Sequence, residues 1–175
     1  CFQHVQKELN QADLAIANLE TTLGGKPFKG YPLFSSPDEL AFDLLNVGFN
    51  VFQLANNHIL DRGRKGLKRT LYLLDSLQVY HTGAFSSEED RAKRNPLLIE
   101  KKGFKLAFLN YTYGTNGLTV TSPHTINYID KNVIEQDILI AKQYKPDAII
   151  ALLHWGEEYH QRPSKSQKEL AKWLI

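Results

Sequence analysis

Nine residues of this chain are of types, and at spacings, that could do chemistry. The run Asn50–Ala55 is apolar and stops abruptly at Asn56, Asn57, His58 and Asp61, with Gly63 closing the group. The run Asp13–Leu19 ends in the same manner, with Asn18 and Glu20. The run Asp147–Leu153 delivers His154, and Trp155 and Glu158 follow directly. A carboxylate, an amide oxygen and an imidazole (Glu20, Asn57, His154) make a mixed oxygen and nitrogen set suited to Mn, Fe, Zn or Mg. His58 can act as acid, base or ligand near neutral pH, and Asp61 could orient its ring. A structural reading exists for each residue. Asparagine tolerates the backbone angles of turns, so Asn56 and Asn57 could simply make one. Glu20 could cap a loop or helix, His154 could be a core histidine bonded to backbone, and Trp155 could be core. Three apolar runs ending in such groups within one short chain favour function.

These groups need elements to position them. Apolar runs of this length, rich in Val, Ile and Phe, read as buried strands. Ligands of open α/β sheets bind outside the carboxyl ends of parallel strands. Between the first two runs lies the Gly- and Pro-rich segment Thr21–Phe34, long enough for a binding loop. A helix over 37–47 follows, with Ser36 as N-cap, Pro37 at the first helical position, Glu39 completing a capping box and Gly48 as the stop. That alternation is a βαβ pattern. Leu67, Leu71, Leu74 and Leu77 mark one face of a helix over 64–77. Residues 79–82 are a short strand, and 83–94 are polar and loop-like with at most a helical turn. Residues 96–112 read as a hairpin around Lys101-Lys102-Gly103, which makes the sheet mixed. A long loop over 113–125 follows. Ile134, Ile138 and Ala141 give a helix over 131–144. Residues 147–153 look like the most buried strand of all. Ser164 with Gln167 predicts a capping box for a last helix carrying Leu170, Trp173 and Leu174. Phe2, Val5 and Leu9 have helical spacing, so 1–10 read as a helix. The strands ending at Glu20, Ala55 and Leu153 are expected as neighbours or near neighbours in one parallel sheet, covered by helices 37–47 and 64–77.

Composition bounds the function. With 175 residues the chain suits one domain or most of one, and 1–175 reads as a single domain. Its 21 basic and 19 acidic residues nearly cancel, which argues against a nucleic-acid footprint of one dominant sign. A single cysteine, Cys1, excludes an internal disulfide framework. That cysteine is the residue type of a lipid anchor, but it runs straight into an amphipathic pattern and reads as ordinary. No run approaches the ~18 apolar residues of a membrane span. Methionine is absent even at position 1, so the chain is expected to be a piece of a longer one, from which a targeting segment could have been removed. Neither a P-loop, a G-x-S-x-G elbow nor a dinucleotide-binding glycine fingerprint occurs.

The segments ADLAIANLETTL, LANNHILDRGRKGL, LNYTYGTNG and LLHWGEEYHQRPS, taken in order, resemble the poly-gamma-glutamate capsule biosynthesis proteins of CapA type, a group similar to the calcineurin-like metallophosphoesterases. The likeness covers nearly the whole chain. It implies an α/β fold: a metallophosphoesterase-like α/β/β/α sandwich with mixed sheets and a two-metal site at strand ends, incomplete here at both termini. By the same likeness Glu20 falls where that superfamily has a bridging aspartate, Asn57 matches the metal-binding asparagine, His58 the catalytic histidine and His154 a single histidine ligand. Glutamate for aspartate is a departure, since its extra methylene moves the oxygens. The first-strand aspartate and the final histidine motif of the superfamily are not matched. Asn18, Asn56, Asp61, Trp155 and Glu158 are expected to touch substrate or to support the ligands, Glu158 by orienting an imidazole.

The function expected on this basis is a metal-dependent hydrolase or transferase of capsule polymer formation, using divalent ions, two in the complete protein. Such a centre would polarise a phosphoryl or a carbonyl group, so phosphoester, amide and glycosidic bonds all remain open. The alternative is a non-catalytic scaffold that keeps the fold and binds polymer. Expected partners are an anionic polymer or a phosphorylated substrate and capsule-assembly membrane proteins, with no nucleic acid, in the extracytoplasmic cell envelope.

Overall fold

The computed structural model describes residues 2–175; Cys1 lies outside the described residues. Two small sheets carry the site. In the first, β1 (Ile16–Asn18), β2 (Val51–Gln53) and β3 (Tyr80–Thr82) run parallel in the order β1-β2-β3, with Asn18 paired to Gln53 and Gln53 to Thr82. Helix α2 (Glu39–Asn46) connects β1 to β2, and α3 (Gly63–Ser76) connects β2 to β3. The second sheet holds the hairpin β5 (Leu97–Lys101) and β6 (Phe104–Thr112) together with β8 (Ala148–His154), in the order β5-β6-β8. Helix α5 (Lys131–Gln143) lies between β6 and β8. The hairpin turns on Lys102 and Gly103, both at positive φ (50° and 84°), the two-residue geometry that matches strand twist. A short ribbon of β4 (Ala84–Phe85) and β7 (Thr125–Ile126) completes the strands.

Strand alternation sorts side chains into layers. Ile16 and Val51 face the second sheet and pack with Ile99, Phe108, Ile150 and Leu152. Ala17 and Phe52 point the other way, onto Ala41 and Leu44 of α2 and Leu67, Leu71 and Leu74 of α3. On the outer face of the second sheet, Leu109, Tyr111, Ile149 and Leu153 meet Ile134 and Ile138 of α5 and Leu174 of α6 (Lys165–Leu174). The protein is thus α/β, with two open sheets packed against each other, one parallel and one mixed, and helices outside. Phe52, Leu67 and Leu74 are wholly buried; each such side chain contributes roughly 1.5–3 kcal/mol.

Several expectations change. β8 is not in the sheet of β1 and β2. The strand before α5 is the two-residue β7, which pairs with β4; β8 instead lies parallel to β6, with Leu106 opposite Ala148 and Thr112 opposite His154. Nor is β8 the most buried strand. It is the outer strand of its sheet among the described residues, and Ala148 and Ala151 are exposed, whereas Ala107–Thr112 of central β6 are buried. The capping box at Ser36 does not form. Ser36 Oγ pairs with Thr21 Oγ1 at 2.9 Å, its N–H donates to Thr22 O, and α2 starts two residues past the expected position without a side-chain cap. The first helix, α1 (Gln6–Gln11), is shorter than expected. Phe2 instead packs edge-on against Phe49, 5.6 Å between centroids. The polar stretch after Gly83 holds β4 and a true helix, α4 (Glu88–Arg94), because Ser87 caps it by accepting from Asp90 N. The box at Ser164 and Gln167 forms as read, both halves present.

Candidate functional site

Because the sheets pack face to face, the carboxyl ends of β1, β2 and β8 converge although they belong to different sheets. His154, the last residue of β8, places Nε2 2.9 Å from Asn57 Oδ1 and 3.7 Å from Glu20 Oε1. Asn18, the last residue of β1, donates from Nδ2 to Glu20 Oε2 (2.9 Å) and stands 3.3 Å from His154 Nδ1. Asn56 is fully buried and faces inward. Its Nδ2 donates to Asn18 Oδ1 and Leu19 O, and its Oδ1 accepts from His58 N, so it ties the loop after β2 to the end of β1. Asn57 Nδ2 donates to Asn116 Oδ1 at 3.3 Å, which fixes the amide so that its oxygen points at His154.

His58 sits beside this group with a different partner. Its Nδ1 is 2.7 Å from Asp61 Oδ2. A carboxylate only accepts, so Nδ1 carries the proton and Nε2 is the ring's other nitrogen, with no protein partner among the described residues. The Asp61 side chain is wholly buried. Its Oδ2 also accepts from Phe34 N at 2.7 Å, and Phe34 packs edge-on against the imidazole, 4.6 Å between centroids. Both the ring's tilt and its tautomer are thereby set. Burial lowers the affinity of His154 for a proton; Glu20 opposes this and the His58 charge adds to it, so the ring sits below the ordinary histidine range. A neutral imidazole is the form that ligates a metal. Tyr113 stacks on it at 6.0 Å.

Two cavities open on these residues. One, of about 380 Å³, is lined by Glu20, Asn57, Tyr113, His154, Trp155 and Glu158, with His160 and Arg162 further out. The other, of about 400 Å³, is lined by Tyr31, Leu33, His58, Leu118 and Tyr159, and shares Asn57 and Glu158 with the first. Trp155 is half-buried in the wall of the first. Glu158 is exposed, and its carboxylate bonds no imidazole; only its backbone carbonyl meets His160 Nδ1, at 3.0 Å. Gly156 turns the chain here at φ 111°, with Gln167 Nε2 2.7 Å from where a Cβ would stand.

Glu20 Oε1 and Asn57 Oδ1 lie 3.7 and 2.9 Å from His154 Nε2 at the edge of the first cavity; an amide oxygen only accepts, so Nε2–H donates to Asn57 Oδ1 here, and the nitrogen becomes a ligand once the proton is displaced from it. That set fits one divalent ion, with further positions left to water or substrate. No group of three or more His, Cys, Asp or Glu side chains able to hold a metal occurs among the described residues, so the amide is needed to make up even this set.

One positioning residue escaped the sequence reading. Asn110, in the middle of β6, is fully buried. Its Oδ1 accepts from Leu54 N (3.0 Å) and Ala55 N (2.8 Å), and its Nδ2 donates to Leu152 O (3.0 Å). One side chain thus bolts the segment leading into Asn56–His58 to the strand that ends at His154. The available signal was an asparagine inside the apolar run Leu106–Tyr111.

The profile of the family described as bacterial capsule synthesis protein PGA_cap matches residues 1–175. The chain is 28% identical to the capsule biosynthesis protein CapA of Bacillus anthracis, over 99% of this chain and 44% of that protein. It is 26% identical to the PGA biosynthesis protein CapA of Bacillus subtilis (strain 168), over 98% of this chain and 46% of the relative. An uncharacterized protein, y4sH, of Sinorhizobium fredii is 33% identical over 62% of this chain and 25% of its own length. The chain spans less than half the length of these relatives.

Proposed function

The chain belongs to the bacterial capsule synthesis protein family, and from that premise we propose that it carries part of a metal-dependent hydrolase or transferase centre used in making a capsule polymer. Two facing sheets with helices outside support this, since a metallophosphoesterase-like sandwich would have the same layers. The observation that carries the reading is the meeting of Glu20, Asn57 and His154, from three separate strand ends, next to an independently oriented His58–Asp61 pair. Ligand and acid–base roles are thereby divided between neighbouring groups.

Glu20, Asn57 and His154 would hold a divalent ion, one of Mn, Fe, Zn or Mg. Such an ion supplies an activated water and neutralises charge on a phosphoryl oxygen. Asn18 steadies Glu20, and Asn116 holds the Asn57 amide. With Nδ1–H held on Asp61, His58 would act as general acid in its doubly protonated form, which presents Nε2–H to the leaving oxygen. Trp155 and Glu158 border the cavity where substrate would lie. An anionic polymer or a phosphorylated precursor is the substrate this centre would take, in the cell envelope beside membrane-bound assembly partners. No helix among the described residues is long and apolar enough to cross a membrane.

The test is metal analysis of the full-length protein alongside hydrolysis of a phosphate ester. Asn57→Ala is expected to lose metal. His58→Ala is expected to keep metal and lose about 10²–10⁴ in turnover. Equal metal loss in both variants contradicts the division of roles. A full-length protein that holds no divalent ion and turns over no substrate overturns the reading in favour of a polymer-binding scaffold.

A further inference from the structure

Residues 26–33, KPFKGYPL, form an unbroken exposed run between β1 and α2. Exposure is ordinary for a polar loop, but this run holds Phe28, Tyr31 and Leu33 open to solvent at 46%, 86% and 43% and contains no acidic residue. Large apolar groups gathered in solvent mark a contact surface. The loop is also firmly held. Lys29 and Ser35 exchange both backbone hydrogen bonds, at 3.0 and 2.8 Å, and close the tip at its base. Phe34 follows the tip, donating its N–H to Asp61 and packing on His58. Arg62 Nη1 donates to Pro27 O (2.8 Å) and Arg69 Nη1 to Leu23 O (2.6 Å), so the loop is clasped to α3. A Cβ on Gly30 would meet nothing within 4 Å, so the tip itself stands clear.

Charge is segregated at the same place. Segments 24–34 and 62–69 hold seven basic residues and no acidic one. Asp38 neutralises Arg69. Lys26, Lys29, Arg62, Lys65 and Lys68 have no ion pair among the described residues. Lys65, Lys68 and Tyr72 stand at three- and four-residue spacing on the outward face of α3, with Tyr72 73% exposed. Cations around apolar protrusions fit the interface of a bilayer with anionic headgroups, where the cations meet the headgroups and the apolar side chains reach past them. A soluble polyanion would satisfy the cations and leave Phe28, Tyr31 and Leu33 uncovered.

We propose that the 26–33 tip and the outward face of α3 form a docking surface for an anionic lipid bilayer. Tyr31, Pro32 and Leu33 also wall the cavity that holds His58, so a docked tip sets that cavity against the headgroup layer. Docking of this kind requires neither metal nor turnover and stands apart from the catalytic reading.

The test is amide hydrogen exchange of the full-length protein, read by mass spectrometry over residues 26–33. It compares vesicles of phosphatidylcholine with vesicles of equal parts phosphatidylcholine and phosphatidylglycerol. The expected result is slowed exchange with the anionic vesicles alone. Each cation removed weakens docking by about fivefold, so Lys65→Gln with Lys68→Gln should abolish most of the protection. Phe28→Ser with Tyr31→Ser should do the same, and both side chains are open enough for the fold to survive. Lys142→Gln with Lys168→Gln, the same loss of charge on exposed positions of α5 and α6, should leave the protection intact. Unchanged exchange with anionic vesicles overturns the docking surface and leaves the catalytic reading standing. Equal protection by soluble poly-L-glutamate overturns it in favour of a polyanion site. Protection without lipid that grows with protein concentration overturns it in favour of a second copy of the chain. Protection that survives the loss of Phe28 and Tyr31 overturns the membrane contact as well.

Discussion

Replacing Asn110 by alanine should disturb the site from a distance. The side chain makes three buried hydrogen bonds, two from backbone N–H groups before Asn56 and one to the carbonyl of Leu152. Leu54 N keeps a second acceptor, Thr82 O at 2.9 Å. Ala55 N has only Asn110 among the described residues, and an orphaned buried donor costs about 1–3 kcal/mol. The other two bonds contribute roughly 0.5–1.5 kcal/mol each. The expected loss is therefore about 3 kcal/mol, read as a lower urea midpoint at unchanged slope. A merely structural residue would stop there. A positioning residue also releases the Asn57 segment from β8, so His154 becomes better solvated. Its imidazole, held below the ordinary range chiefly by burial, should then titrate at higher pH, nearer the ordinary histidine value, when followed by NMR below the unfolding midpoint. A loss under about 1 kcal/mol with an unmoved His154 titration would refute the claim that Asn110 ties the two strand ends together.

Gly83→Ala strikes the same joint from the other side. Its φ is 98°, and a Cβ there would collide with Asn110 Oδ1 and lie 2.7 Å from Ala55 Cβ, so a loss of about 4 kcal/mol is expected in the same urea assay. If the proposed centre operates in the full-length protein, Asp61→Asn should lower its turnover by about 10² or more with little change in metal content, because an amide in place of the carboxylate disturbs the tautomer of His58. Asp75, held at about 2 by His81 first and by Arg94, has a depressed pKa. The stability it contributes is present above its ordinary value of 3.8 and lost as pH falls through about 2. Its side chain is 51% exposed, so the effect is under about 1 kcal/mol; Asp75→Asn should flatten the stability profile between about pH 4 and 2, measured by urea unfolding at each pH.

Local rules carried far in this chain because many of its signals act over a few residues. Lys102-Gly103 sets a two-residue hairpin through backbone angles alone, and Ser164 with Gln167 closes its capping box within one turn. The leucine spacing of α3 needs only an apolar layer to lie on. The candidate residues Glu20, Asn57, His58 and His154 could likewise be picked out, since polar groups at the ends of apolar runs stand out against their surroundings. Pairings between distant residues were not legible. Ser36 has the sequence of a cap, but Thr21, fifteen positions away, takes its hydroxyl. The apolar run of β8 reads as core because hydrophobicity reports what a strand can bury, not which neighbours it finds; as the outer strand beside β6 it stays half open. Nothing in the local sequence states that β8 joins a different sheet from β1 and β2, because that choice is a long-range pairing with β6. The site depends on this choice. Glu20, Asn57 and His154 meet because the two sheets are stacked face to face, and Asn110, whose three partners lie 42 to 56 residues away, holds that stack in register.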